Sequence, residues 1–328
     1  MLIAVLLFIV GLACLIKGGD WFVDGSCGIA HRFGIPELLI GATVVSIGTT
    51  LPEVMVSATS AVKGHSDIAY GNAIGSIICN TALISAITIT FKPSKVAKET
   101  LKKPIAFFFA AAALYLACAY IAGGFSRTVG ISLLAIFVIY MVVLVKEALK
   151  AKKGESETIQ DDKKEEPGKE NPLWKDLVFI VIGAALIAVG ADLLVDNGTI
   201  IAVALGVPES VVALTFVALG TSLPELVTAI TSLIKGHGAL SLGNIIGANL
   251  FNLVLVSGMA ITLRPFKIPA NSTIMGINSS LVVDSPVMLG VMLLLTLPAL
   301  IKGKLYRAQG ILLLCIYAAF VVFQFAFN

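Results

Sequence analysis

Residues 47–53 read IGTTLPE, and residues 219–225 read LGTSLPE. Each copy sets a proline and a glutamate inside an otherwise apolar stretch. Pro52 has no N–H, so it cannot bond the carbonyl of Gly48, and its ring pushes the preceding turn out of helix. Pro224 does the same to Gly220. In hydrocarbon, carbonyls freed in this way persist only where they are buried in protein, line a watery cavity or find a partner. The hydroxyls of Thr49, Thr50, Thr221 and Ser222 stand beside them. From Ser46 to Glu53, and again from Ala218 to Glu225, the chain offers backbone oxygens, hydroxyls and one carboxylate within about two helical turns.

The surroundings are those of a membrane. Of 328 residues, 58% are hydrophobic and 13% charged, and the mean hydropathy is +0.98, far beyond the roughly 45–50% apolar share of soluble domains. Apolar runs long enough to cross a bilayer, about 20 residues each, predict ten helices. They lie near 2–23, 36–61, 67–91, 104–123, 128–147, 174–195, 208–234, 240–263, 286–301 and 309–327. The first has no basic residue ahead of its apolar core and no small-residue cleavage site before Lys17, so it reads as a span and not as a leader. Alternate connections hold 18 basic residues on one side, including Arg32, Lys92, Lys235, Lys302 and the central loop, against four on the other. The excess of positive charge predicts both termini outside and the central loop in the cytoplasm, in a plasma (inner) membrane.

Residues 150–172 are the only long hydrophilic segment, mixing both signs of charge with glycine and proline. They read as a solvated tether, without the ligand spacing of a calcium loop. The tether divides a repeat. Shifting the sequence on itself by 172 positions aligns both LPE segments, Lys63-Gly64-His65 with Lys235-Gly236-His237, Gly71-Asn72 with Gly243-Asn244, and Asn80 with Asn252; from 40 to 93 there are 22 identities in 54 positions. The expected fold is all-α: a five-helix repeat at 1–149, a linker at 150–172 and a second repeat at 173–328. An odd number of spans per unit makes the second repeat inverted. Inverted repeats are the architecture of secondary transporters, with substrate held near the midplane.

Thr49 and Thr221 fall near the middle of their predicted spans, as do Asn80 and Asn252 on the following ones. A charged residue at that depth costs on the order of 2.5–3.5 kcal/mol and marks an ion path by default. A bound cation would offset the cost of Glu53 and Glu225. The donors are all oxygens, so a hard ion is favoured over zinc or copper. Calcium accepts about 6–8 oxygens at flexible geometry, whereas magnesium prefers to keep water in a strict octahedron. Sodium could share the same groups as counter-substrate, and protons could ride on the same glutamates. A lone LPE would read as a structural kink, and a lone asparagine as a bond between helices; duplication of the set at one depth favours a site.

Other polar positions read as structural. Gly71, Gly75, Gly243 and Gly247 suit close packing. Asp20, Asp24, Asp192 and Asp196 suit interfacial contacts, and Asp284-Ser285-Pro286 suits a helix start with a capping side chain. Cys14, Cys27, Cys79, Cys118 and Cys315 are scattered singly, which supports neither a disulfide framework nor a zinc site. His31, His65 and His237 fall in predicted loops, where metal roles are not expected. No HExxH, nucleophile elbow or aspartyl pair is present, so an intramembrane hydrolase using the two glutamates is disfavoured, as is a passive channel. No cofactor, nucleic acid or obligatory oligomer is implied.

The segments GATVVSIGTTLPE with GNAIGSIICN, and TFVALGTSLPE with GNIIGANLFN, resemble the sodium/calcium exchanger branch of the cation/calcium antiporter superfamily. The resemblance spans the whole layout. It implies alternating access around one central site, where sodium and calcium bind in turn to the second, third, seventh and eighth helices. Carried over by position, the ion ligands fall on Ser46, Thr49, Thr50, Glu53, Ser76, Asn80, Ala218, Thr221, Ser222 and Glu225. The eighth helix departs from exchangers that carry a serine and an acid there, and resembles a bacterial subgroup with Ala248 and Asn252. Asn252 remains a candidate ligand, but the site keeps two carboxylates and lacks a third.

Overall fold

A computed structural model of the protein describes residues 2–93, 96–158, 172–205, 220–269, 273–274 and 276–327. Among these residues the chain forms ten helices: α1 (Leu2–Phe33), α2 (Glu37–Lys63), α3 (Ser66–Phe91), α4 (Lys98–Ala122), α5 (Arg127–Thr158), α6 (Leu173–Ala204), α7 (Leu223–Ile234), α8 (Gly238–Leu263), α9 (Ser280–Lys302) and α10 (Arg307–Phe327). Two short antiparallel ladders accompany them, β1 (Gly124–Phe125) with β2 (Phe266–Lys267) and β3 (Thr273–Ile274) with β4 (Ile277–Asn278). The protein is an all-α polytopic membrane protein. Nine of the described helices are long and apolar enough to span a bilayer, and α7 is a shorter apolar helix. The seventh predicted span begins outside the described residues. So does most of the linker, although α5 runs into it as far as Thr158.

Helix α9 begins at Ser280, ahead of the expected start. Asp284 has helical dihedrals (φ −62°, ψ −48°) and makes no cap; its carboxylate accepts a hydrogen bond from Gln324 Nε2 at 2.8 Å. A polar side chain that finds a partner on a neighbouring helix has no need to end its own.

The chain folds as two compact units that cut across the sequence halves, one comprising Met1–Thr49 and Ile139–Asn244, the other Thr50–Val138 and Ile245–Asn328. In the first, α1 lies along α6. Glycines permit the approach: a Cβ on Gly18 would meet the Gly183 carbonyl at 2.9 Å, and one on Gly183 the Gly18 carbonyl at 2.8 Å. Small residues let membrane helices gain contact where no hydrophobic force drives them together. Phe22, Val23, Val45 and Leu240 form the core there. In the second unit α3 packs against α9 and α10, with Ala82, Ala86, Val291 and Leu313 buried together. Helices α3 and α8 are the most enclosed, with 72% and 83% of their apolar windows buried, against half or less for the other spans.

Wide π turns interrupt these helices at Gly41–Val45, Asn80–Ser85, Cys118–Ala122, Asn252–Val256 and Ser280–Asp284. A π turn carries one residue more than an α turn and frees a carbonyl. Serines fill that need. Ser46 Oγ donates to the Gly41 carbonyl at 2.8 Å, Ser257 to Asn252 at 3.1 Å, and Ser285 to Ser280 at 3.0 Å. The turns at Asn80 and Asn252 occupy equivalent places in the two repeats.

The expected unwinding before the prolines is seen in one repeat only. Pro52 sits inside unbroken α-helix from Ser46 to Lys63, with the irregular turn displaced upstream to Gly41–Val45. Pro224 lies in the first turn of α7, where its missing N–H costs nothing, and Ser222 ahead of it is non-helical (φ −90°, ψ 3°).

Candidate functional site

Along α2, Ser46, Thr49, Thr50, Glu53 and Ser57 recur at helical spacing, and all are buried, Glu53 completely. The opposite face carries Leu51 and Met55, 52% and 65% exposed. This helix is polar inside and apolar outside, as a span lining a polar interior should be. Helix α7 repeats the pattern with Ser222, Glu225, Thr228 and Ser232 buried, Glu225 completely. Thr221 is half-buried. Ala218 lies outside the described residues.

In the first unit the hydroxyls are held by Asn244 of α8. Its side-chain oxygen accepts from Thr49 Oγ1 and from Ser46 Oγ, both at 3.3 Å, and its backbone carbonyl accepts from Ser46 Oγ at 3.0 Å. Its Nδ2 donates to Thr228 Oγ1 at 3.0 Å. Thr228 in turn donates to the Pro224 and Glu225 carbonyls at 2.8 and 3.0 Å. One asparagine thus ties the Ser46–Thr49 turn to the turn that carries Glu225. The glycine before it matters: a Cβ on Gly243 would sit 2.2 Å from the Leu38 carbonyl oxygen, and one on Gly41 2.3 Å from that of Leu240.

The second unit mirrors this with Asn72 of α3, whose Nδ2 donates to the Glu53 carbonyl at 3.1 Å and to Ser57 Oγ at 2.8 Å. The expectation that these glycines serve close packing holds at Gly243; Ser210 and Ala213, the repeat counterparts of Leu38 and Gly41, lie outside the described residues.

The second unit also carries Thr50, Ser76, Asn80 and Asn252. Asn80 and Asn252 are completely buried, and none of their amide atoms has a hydrogen-bond partner among the described residues. A buried polar group left unmade costs about 1–3 kcal/mol, and both repeat-related amides carry that cost among the described residues. Nearby in sequence, Asn249 Nδ2 donates to Thr81 Oγ1 at 2.7 Å and to Met292 Sδ at 3.1 Å. Ala248 is buried and offers no side-chain donor.

Asn72 and Asn244 were legible as a repeated pair, yet their role in fixing the glutamate-bearing turns was not read from the sequence. Asn249 carried no signal, because its counterpart in the first repeat is Ile77.

Buried acids, hydroxyls and open amides set at repeat-related places on apolar helices define a membrane transporter and not an enzyme. The chain belongs to the family described as sodium/calcium exchanger protein, whose model matches residues 3–146 and 175–326. It is 35% identical over 326 residues to the putative antiporter CaxA of Alkalimonas amylolytica, covering 99% of this chain and 98% of that one. It is 37% identical to the inner membrane protein YrbG of Escherichia coli, covering 82% of each, and 29% identical to the sodium/calcium exchanger MaX1 of Methanosarcina acetivorans, covering 98% of each. Among solved structures it is similar to the sodium-calcium exchanger NCX_Mj soaked with sodium and strontium ions, with a TM-score of 0.79, 32% identity and 98% of both chains covered. The sequence resemblance is borne out.

Proposed function

We propose that the protein exchanges calcium for sodium across a plasma (inner) membrane, by alternating access at a central site in which Glu53 and Glu225 are the charged ligands. Thr49 and Thr221, with Thr50, Ser222, Ser46 and Ser76, supply hydroxyl oxygens, the Gly48 and Gly220 regions together with Ala218 supply carbonyls, and Asn80 and Asn252 supply amide oxygens. The observation that carries this reading is the complete burial of two repeat-related carboxylates together with two repeat-related amides that the described protein leaves open. An all-oxygen set of this size suits calcium, and sodium accepts the same donors. The names of MaX1 and NCX_Mj as sodium/calcium exchangers support the ion pair. The name of YrbG supports the compartment, and the lysine and arginine asymmetry supports external termini with a cytoplasmic central loop.

Two carboxylates balance one calcium or two sodium ions, so the cycle is neutral; a third sodium would carry one uncompensated charge. Everted vesicles loaded with calcium test the coupling. Calcium movement should follow an imposed sodium gradient with pH clamped, and should ignore an imposed membrane potential. Flux that follows a pH gradient and not sodium would instead establish calcium/proton antiport on the same glutamates. Glu53→Gln and Glu225→Gln should each abolish the rise in thermal stability that calcium confers, and a retained rise in either would remove that residue from the site.

A further inference from the structure

Three side chains distant in sequence converge in the first unit, none of them among the carrier residues. Cys27 on α1, Glu37 at the start of α2 and His237 in the turn between α7 and α8 each place one ligand atom within 4.8 Å of the others. His237 Nδ1 lies 2.7 Å from Glu37 Oε1. All three residues are half-buried. We propose that they form a binding site for a thiophilic divalent cation of the zinc class, separate from the transported hard ions and occupied once per chain.

The donor set decides the ligand class. One sulfur, one imidazole nitrogen and one carboxylate oxygen are too few and too soft for calcium, which takes about 6–8 oxygens. They match a zinc-type ion with three protein ligands and an open fourth position. A thiolate and a carboxylate contribute two negative charges, which a divalent ion neutralises. With metal–sulfur bonds of about 2.3 Å and metal–nitrogen or metal–oxygen bonds of about 2.0–2.2 Å, tetrahedral ligands stand roughly 3.2–3.7 Å apart. Small side-chain rotations bring the three atoms to that spacing.

The backbone beneath the ligands is ordered. Pro36 fixes the entry to α2 immediately before Glu37. His237 N–H donates to the Ser232 carbonyl at 2.8 Å, and the His237 carbonyl accepts from Ser241 N–H at 3.2 Å. Asp24, one turn before Cys27 on α1, is held by Lys235 Nζ at 2.7 Å.

The repeat predicts the stoichiometry. The shift of 172 that relates the halves places Thr199 opposite Cys27, Glu209 opposite Glu37 and His65 opposite His237. The thiol exists in one half alone, so the chain should bind one such ion and not two. A metal held here fastens α1 to α2 and to the α7–α8 turn.

The test titrates cadmium chloride, then zinc chloride, into the purified full-length protein in detergent with calcium in excess. Thiolate-to-metal absorption and equilibrium dialysis are the readouts. One ion per chain is expected, insensitive to calcium. Cys27→Ser should abolish the absorption, and His237→Gln should weaken binding by about tenfold or more, since losing even outer-shell support costs about 10–100-fold. Cys315→Ser should change neither. Glu53→Gln should lose the calcium response and keep the cadmium site, which separates this proposal from the transport reading on which it does not depend. A band that persists in Cys27→Ser, unaltered affinity in His237→Gln, displacement by calcium, or two ions per chain would overturn the assignment. Retained calcium-dependent thermal stabilisation shows that the Cys27 and His237 variants are folded.

Discussion

Gly243 on α8 sits directly against the backbone of α2, and alanine there should destabilise the protein. At Gly243 the added Cβ would lie 2.2 Å from the Leu38 carbonyl oxygen, 2.9 Å from its carbon and 3.0 Å from its Cα. Ordinary contact begins near 3.4 Å, so a shift of about 1 Å is demanded, and the obstacle is backbone that cannot rotate aside. The reciprocal clearance at Gly41, 2.3 Å from Leu240, means that sliding the two helices apart opens both contacts at once. Overpacking of this kind costs typically about 1–3 kcal/mol, occasionally more. The same displacement drags Asn244 away from Ser46 and Thr49, so calcium should stabilise Gly243→Ala less than it stabilises the parent. Thermal unfolding of the purified variant and its parent, with and without calcium, measures both effects. Gly243→Ala should melt several degrees below the parent and gain less from calcium. A melting temperature equal to the parent's would refute the reasoning.

Three further outcomes are expected. Asn252→Asp adds the third carboxylate, so calcium flux in proteoliposomes should acquire sensitivity to an imposed potential, with about 2.3 kcal/mol acting per charge per 100 mV; a flux that stays insensitive would defeat the charge count. Burial pulls the Lys235 ammonium down, but its hydrogen bond to Asp24 and the charges of Asp24 and Asp20 outweigh this and set its pKa above the usual 10.5. That stabilisation is complete below the unfolded value and is lost as pH rises through the folded one. Lys235→Met should therefore melt below the parent at neutral pH and converge with it as pH rises through the raised folded pKa; a gap that stays constant with pH would show that the charge is not its cause. Deleting 155–168 should leave sodium-driven calcium uptake near the parent rate, and a collapse of uptake would give that segment more than a tethering role.

The fold class was legible because hydropathy and duplication are written locally: runs of apolar residues set the spans, and the shift of 172 exposed Glu53, Glu225, Asn80 and Asn252 as two matched pairs. What stayed hidden depends on neighbours that a single helix does not encode. Pro52 promised a broken helix, yet the irregularity sits upstream at Gly41–Val45, where Ser46 can satisfy the freed carbonyl. Asp284 looked like a cap because it precedes a proline, but Gln324, 40 residues away, claims its carboxylate. Gly41 and Gly243 show no packing role in their own helices; it emerges only when the facing carbonyls of Leu240 and Leu38 are in place. Cys27, Glu37 and His237 follow no short metal motif, since their convergence is produced by the folding of three elements.

The serine-plugged π turns leave these helices one residue out of step with an uninterrupted spiral. Deleting a single residue within Gly41–Val45 would collapse the wide turn to an α turn, which holds one residue fewer, and leave everything upstream near its present orientation relative to the Ser46–Glu53 stripe. Deleting one residue within the regular stretch Ser46–Glu53 would instead swing everything upstream by about 100° relative to Glu53. The first deletion should therefore be far better tolerated than the second, and the wide turn is the place where the chain can change length without re-aiming the stripe.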